Sequence, residues 1–453
     1  ILNPQNMWVG NLFVMKKSNY TAIIILLSIF FSVQILSAQI ANSETLSYDV
    51  PSSVGMDSLF IQSKVDSIMT MAIKEEAFPG AQVLVAKNNK IIFHKAYGFH
   101  TYDSLQPVGL TDIYDLASVT KIMGPLPALM KLHDEGKVDL DAPFSTLWPK
   151  WKNRKDKKEL TIREVFAHQA GLVPYIIFLQ EVMKKNGSVK NRFVRNEPSR
   201  RFNTRAYENI YIKDRFRNKI YRKINRSKVS DIKKYKYSGL TFLLYPEIIS
   251  RLTDTDYETY VTQNFYAPLG ATTLGFNPKN KNYPNKIVPT EIDTLFRHEL
   301  TKNWVHDENA ALMGGVSGNA GLFASATDLA KMMQMYMNYG TYGGKRYLSE
   351  TTVKEFTKVQ YPENENRRGL IFDKPELNNQ ELTLADSYPA PSASPDSFGH
   401  SGFTGTFVWA DPKTQMVYIF LSNRVYPSRS HANIYKFNIR SAVQQVFYDA
   451  IID

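Results

Sequence analysis

The 453-residue chain contains no cysteine. Disulfide staples, thiol nucleophiles and cysteine-ligated metals are all excluded, so the fold must rest on its apolar core. Histidine is scarce, with eight in all, and no two of them form an H-E-x-x-H pair. His306-Asp307-Glu308 alone is a thin ligand set, and neither a metal nor a cofactor is expected. No internal repeat and no low-complexity linker stands out. After residue 36 no second apolar run approaches the length of a membrane span.

The one such run lies near the start. Met15-Lys16-Lys17 reads as an ordinary opening, followed by the apolar stretch Ala22 to Leu36 and the small-residue site Leu36-Ser37-Ala38. The 15 residues of this stretch fall short of the ~20 that a spanning helix needs, so the pattern predicts a signal peptide cut after Ala38 and an exported, periplasmic or extracellular protein. With Tyr20 and Thr21 added the run reaches the lower edge of spanning length, and left uncut it would anchor the chain to the membrane. Residues 39–453, in a chain 43% hydrophobic and 22% charged, suffice for one large domain.

Charge is unevenly spread. The formal net charge is +12, yet residues 184–236 alone hold 19 Lys and Arg against Glu197, Glu208, Asp214 and Asp231, an excess of 15 that leaves the remainder at −3. A single basic insertion therefore accounts for the whole surplus. Its Lys and Arg, interleaved with Tyr207, Tyr211, Phe216 and Tyr221, read as a solvated helical face. If it binds a partner, an anionic cell-wall polymer or membrane headgroups suit an exported protein, and no nucleic acid is expected.

Ala81 to Ala86 and Ile91 to Ala96 are β-favouring stretches around Lys87-Asn88-Asn89-Lys90, a hairpin signature. A second hairpin is expected from Thr406 to Ala410 and Met416 to Ser422 around Asp411-Pro412-Lys413, before a closing helical pattern through Ile434, Phe437, Val443, Val446 and Phe447. Between the hairpins, over about residues 111–390, the periodicity is mainly helical: Ile122 to Glu135, Leu240 to Leu252, Tyr257 to Tyr266 and Ala326 to Tyr339. Pro125, Pro127 and Pro246 predict kinks, and Ser387 to Ser397 reads as a loop. The architecture that follows is α/β (α+β): an antiparallel sheet built from both ends of the chain, flanking helices, and a helical region inserted between.

Ser118-Val119-Thr120-Lys121 is an S-x-x-K tetrad at the start of an apolar helical pattern. Positions i and i+3 share a helix face, so the hydroxyl and the amine would meet as nucleophile and base. Ser230-Asp231-Ile232-Lys233 fits the same expression but lies in the basic run. An amine acts as a base only when neutral, which requires removal from water, and Ile122, Met123, Leu126, Leu129 and Met130 supply that burial only to the first tetrad.

Two further elements follow in order: Tyr237-Ser238-Gly239, backed by Phe242-Leu243-Leu244, and His400-Ser401-Gly402 before a strand. Together with Phe78-Pro79-Gly80, His168-Gln169-Ala170-Gly171-Leu172, Val305 to Ala310 and Gly318 to Phe323, they resemble the penicillin-binding protein and class C β-lactamase superfamily, in its 4B-type D,D-carboxypeptidase branch, from about Met56 to the end. The resemblance implies a β-lactamase/transpeptidase-like fold and acyl transfer in two steps. Ser118 would attack a carbonyl while Lys121 and Tyr237 manage its proton; which of the two is the base stays open. It implies an oxyanion hole from the backbone amides of Ser118 and Phe403, each donor worth ~3 to 4 kcal/mol. Substrate contacts would come from His400, Ser401, Gly402 and the position of Gly239.

Two departures bear on substrate. Gly239 stands where the family carries an amide-binding Asn, and His400 where it carries a lysine, so efficient β-lactamase activity is not expected and a small peptide, amide or ester substrate is. The competing readings are a weak β-lactamase or esterase, and a catalytically silent cell-wall-binding module of the same fold. An α/β-hydrolase elbow at Gly399-His400-Ser401-Gly402 fails, because Phe403 occupies the last glycine position and a strand, not a helix, follows.

Overall fold

The computed structural model describes residues 45–452, so the leader and its expected cut after Ala38 lie outside the described residues. Both expected hairpins form, as β2 (Gly80–Lys87) with β3 (Lys90–Gly98), and β5 (Phe407–Asp411) with β6 (Met416–Ser422). Asn88 and Asn89 turn the first hairpin at φ of 50° and 62°, the left-handed pair that a two-residue turn demands and asparagine tolerates. With β1 (Ser47–Tyr48) and β4 (Phe398–Ser401) they build one six-stranded sheet in the order β1-β3-β2-β6-β5-β4. Residues from the two ends of the chain therefore pair directly, Leu84 opposite Ile419 and Val83 opposite Phe420.

Both faces of this sheet are covered, which explains why its central strands are apolar almost throughout. Alternation sends Ala81, Val83 and Val85 of β2, with Met416, Tyr418 and Phe420 of β6, to one face. There they meet Ile61, Val65 and Met69 of α1 (Ser58–Lys74) and Val443 and Phe447 of the C-terminal helix Ile439–Asp449. Leu84, Ala86, Val417, Ile419 and Leu421 take the other face, in the large core shared with the inserted region. Among the described residues no helix is long and apolar enough to cross a membrane.

Two expectations need correction, and a third is sharpened. The sheet is not wholly antiparallel, because β1 runs parallel to β3 at its edge. The kink expected at Pro125 is a full break, so the helical stretch Ile122 to Glu135 falls into two helices, α2 (Thr120–Met123) and α3 (Pro125–Asp134). Pro125 removes a donor at the junction, and a Cβ at Gly124 would lie 2.4 Å from the Tyr257 hydroxyl, so chain chemistry and a crossing side chain break the axis together. The basic insertion, finally, is not a solvated helical face. It holds a three-stranded antiparallel sheet (Val194–Arg195, Thr204–Tyr207, Ile210–Ile212) and then α4 (Phe216–Arg226). Tyr207, Phe216 and Tyr221 point inward and are buried. The cations remain outside partly because of Glu181, which takes both Lys219 and Lys223.

Gly399 in β4 has no room for a side chain, since a Cβ would sit 2.1 Å from the Val408 carbonyl oxygen and 2.4 Å from the Trp409 ring. Gly399→Ala is expected to pry β4 from β5 and to cost about 2 kcal/mol or more, read as a lowered thermal midpoint.

Candidate active site

Ser118 lies on a 3-10 turn, Ala117–Val119, that runs straight into α2. Ala117 before it is held at φ 43°, a left-handed conformation that costs a non-glycine residue and persists only where the surroundings impose it. The buried Asp115 carboxylate does so by accepting from the Ala117 amide at 2.8 Å and the His306 amide at 2.6 Å. Burial pushes the Asp115 carboxyl up, and those two backbone donors oppose the shift. From the far side, Thr404 Oγ1 donates to the Asp115 carbonyl at 2.8 Å and Thr406 Oγ1 to the Leu116 carbonyl at 3.0 Å. The loop joining β4 to β5 is thereby bolted onto the serine turn. Gly402 permits this approach, for its Cβ would fall 2.5 Å from the Leu116 oxygen.

Lys121, 3% exposed, places Nζ 2.8 Å from Ser118 Oγ and donates to the Asn319 carbonyl at 3.0 Å. The rings of Phe242 and Tyr237 close over the amine at 5.2 Å and 5.5 Å. Tyr237 Oη stands 3.5 Å from Ser118 Oγ. The Lys121 amine and the Tyr237 phenol, from two distant segments, thus converge on one hydroxyl. Ser230 and Lys233, the other tetrad, do not share this environment: Lys233 is exposed and pairs with Glu164.

Two histidines flank the Tyr237 ring, His168 at 4.7 Å and His400 at 6.2 Å between centroids. The Ser238 amide donates to His168 Nδ1 at 3.2 Å, so the His168 proton sits on Nε2. His400 Nδ1 donates to the Ser401 carbonyl at 2.7 Å, which leaves Nε2 a bare acceptor. Burial, then the charges of Arg368 and Lys121, hold His400 down to about 3. Burial and the same two cations, with His400, hold His168 well below its ordinary value. Both rings are neutral near pH 7, and His400 carries no fixed charge.

On its other side Ser118 borders a pocket of about 330 Å³ lined by Ala117, Tyr175, His306, Asn319 and Phe403 among others. Tyr175 and Phe403 are half-exposed aromatic walls. Ser118 and Phe403, the two residues whose backbone amides the resemblance assigns to an oxyanion hole, both line this space. Its far end is a charged wall: Glu291 takes His306 Nε2 at 2.9 Å and Arg429 Nη2 at 2.6 Å, and Arg429 reaches Glu308 at 2.7 Å. Lys121, Tyr237 and His400 are not lining residues. Gly239 leaves open space, with nothing within 4 Å of a built Cβ. Among the described residues no group of three or more His, Asp or Glu could hold a metal ion.

The motif search did not reach Asp115, Tyr175, Glu291 or Arg368. Asp115 left a faint signal, an acid three positions before the serine. The pair Arg367-Arg368 beside the apolar run Leu370-Ile371-Phe372 left another, since charge embedded in such a run implies a buried partner.

The family model described as Beta-lactamase matches residues 61–440. Among curated proteins, the chain is 31% identical over 374 residues to an Escherichia coli O157:H7 protein named "Putative D-alanyl-D-alanine carboxypeptidase", covering 77% of this chain and 79% of that one. A Salmonella typhimurium protein of the same name is 30% identical over 420 residues, covering 86% and 88%. Among solved structures, the octameric penicillin-binding protein homologue from Pyrococcus abyssi superposes with a TM-score of 0.60 at 18% identity, over 86% of this chain and 77% of that one. A class C beta-lactamase gives 0.59 at 14% identity, over 85% and 97%. At such identities these likenesses speak for the fold alone, the β-lactamase/transpeptidase-like arrangement expected from the motifs.

Burial raises the Glu291 carboxyl, but His306 and Arg429 outweigh it and bring it to about 2, below its ordinary 4.5. A depressed carboxylate contributes stability above its unfolded value and loses it as pH falls toward its folded value. Glu291→Gln should therefore be less stable than wild type near pH 7, with the gap closing between about pH 4.5 and 2 in denaturant titrations run at stepped pH.

Proposed function

The chain belongs to the Beta-lactamase family and is a serine hydrolase, and from that premise we propose that it is an exported enzyme acting through an acyl-enzyme on D-alanyl cell-wall peptides or related amides and esters. The observation that carries this reading is the contact of a buried amine with one hydroxyl at 2.8 Å, at the edge of a pocket that Ser118 and Phe403 both line. Ser118 Oγ attacks the substrate carbonyl carbon as its proton passes to one of its two partners, Lys121 Nζ being the nearer and Tyr237 Oη the farther. The carbonyl oxygen, now an oxyanion, is met by the amides of Ser118 and Phe403. Collapse expels the amine or alcohol, which takes the proton, and water repeats the sequence on the ester to free Ser118.

The relatives' printed name supports the D-alanyl preference, and the leader pattern supports export. The pocket's modest size and its aromatic walls suit a short acyl group. Where the basic insertion gathers Arg200, Arg201, Lys213 and Arg215 around a recess of about 450 Å³, an anionic wall polymer is the partner its charge fits.

A fluorophosphonate probe is expected to label one peptide, the one containing Ser118. Labelling should vanish in Ser118→Ala, and ester turnover should fall by about 10³-fold or more in Ser118→Ala and Lys121→Ala. Labelling that persists without Ser118 sinks the assignment. No labelling and no turnover, with salt-sensitive sedimentation on purified cell wall, would instead establish the silent wall-binding module, the reading that Gly239 favours because it offers a substrate amide no side chain.

That glycine also supplies a gain-of-function test. Open space surrounds Gly239 and its backbone is not left-handed, so Gly239→Asn should fold as wild type does. One added hydrogen bond to a substrate amide is worth ~1 kcal/mol, so acylation by a D-alanyl peptide should rise about 5-fold while p-nitrophenyl acetate turnover stays level.

A further inference from the structure

Behind Tyr237 the chain from Asn366 to Asp373 forms a strap across the back of the site. One end is tied to the His168 turn: Asn366 Nδ2 donates to the Ala167 carbonyl and to Gln169 Oε1, each at 2.9 Å, and the Ile371 amide donates to the Phe166 carbonyl at 2.8 Å. The other end is tied to β4, where Asp373 and Gly399 exchange backbone hydrogen bonds of 2.8 Å and 3.0 Å beside His400. Ile371 within the strap is held at φ 67°. A β-branched residue avoids that conformation, so the strap is kept in place against a backbone cost.

What the strap delivers is a guanidinium. Arg368 is 2% exposed, and its central carbon lies 5.2 Å from the Tyr237 ring centroid and 5.9 Å from that of Tyr235. Nη1 comes within 2.7 Å of Asp373 Oδ1, but too obliquely for a hydrogen bond, and neither Nε nor Nη1 has a hydrogen-bond partner. Asp373 is shared with Arg367, which also takes Glu376. A buried guanidinium with Nε and Nη1 lacking hydrogen bonds is expensive, and the Asp373 carboxylate balances its charge without satisfying them. Its field is what remains to justify it.

We propose that Arg368 is a positioning residue, a fixed cation out of the substrate's reach that biases the trio of Ser118, Lys121 and Tyr237 toward the proton-poor form in which it can accept the serine proton. The proposal rests on the reading of that trio as the acyl-transfer machinery. Two microstates lack the proton, a neutral Lys121 amine and a Tyr237 phenolate. Either removes positive charge or adds negative charge beside a guanidinium that does not deprotonate, so Arg368 favours both without deciding between them. The groups packed about the Tyr237 ring are Lys121 from α2, His168 from its turn, His400 from β4, Tyr235 from its own segment and Arg368 from the strap, with Asp373 behind the guanidinium. Both histidines are neutral, so Arg368 is the fixed cation at the ring, with Asp373 its counter-charge.

The test is the pH dependence of kcat/KM for p-nitrophenyl acetate, whose ascending limb reports loss of the trio's proton. Arg368→Met keeps the volume and removes the charge; its limb should move up by about one pH unit, as loss of a buried charge beside the ring dictates, and activity should recover at high pH. Arg368→Lys keeps the charge and should leave the limb within about 0.3 unit of wild type. Asp373→Asn, which strips the counter-charge and leaves Arg368 in place, should move it down, and decides the matter if the Met variant does not fold. Variants that lose activity equally at every pH, with the limb unmoved, overturn the proposal and make Arg368 a packing residue. Turnover that survives Ser118→Ala and Tyr237→Phe overturns the trio itself, which separates failure of the underlying reading from failure of this one.

Discussion

The active region depends on keeping one amine out of water beside one hydroxyl. Withdrawing an amine from solvent costs several kcal/mol unless polar partners replace the water. Lys121 has two, the Ser118 hydroxyl and the Asn319 carbonyl, and aromatic faces of Phe242 and Tyr237 on its open sides. Those contacts draw on segments about 120 and 200 positions apart, so the amine is satisfied only when the inserted region has closed onto the helix that begins at Ser118. The sheet secures that closure by pairing β2 with β6 and by presenting Thr404 and Thr406 to the serine turn.

Backbone strain gathers around the same point. Ala117 precedes the serine, His168 lies against Tyr237, and Ile371 carries the strap, and all three are non-glycine residues in the left-handed region. Each is held by a defined partner: the Asp115 carboxylate on the Ala117 amide, the Ser238 amide on His168, and the Phe166 carbonyl on Ile371. Strain of this kind survives where surrounding contacts over-determine the conformation, and here those contacts also aim side chains at one hydroxyl.

The basic insertion shows how charge and packing divide a segment between them. Its aromatic residues enter the core, where Tyr221 meets Trp148 at 5.2 Å and Phe216 meets Phe193 at 5.4 Å. Its lysines and arginines stay at the surface, a few neutralised by Glu181, Glu208 and Glu164. The uneven charge marks the segment, but a solvated helix leaves out its buried anchors, Tyr207, Phe216, Ile220, Tyr221 and Ile224.

Local signals made the two hairpins, the sheet drawn from both ends of the chain and the terminal helix legible, because a two-residue turn and alternating apolar strands depend on neighbours in sequence. Residue types and their spacing marked Ser118 with Lys121, and the order of three short elements pointed to Tyr237 and His400. Sequence also determined that no thiol chemistry is available. Only the tertiary structure decided which remote groups close over Lys121, that His400 is a neutral ring behind Tyr237, and that Arg368 and Asp373 lie beneath it. Charge state and solvent access depend on atoms brought from remote parts of the chain, and a linear pattern carries no record of which remote atoms those are.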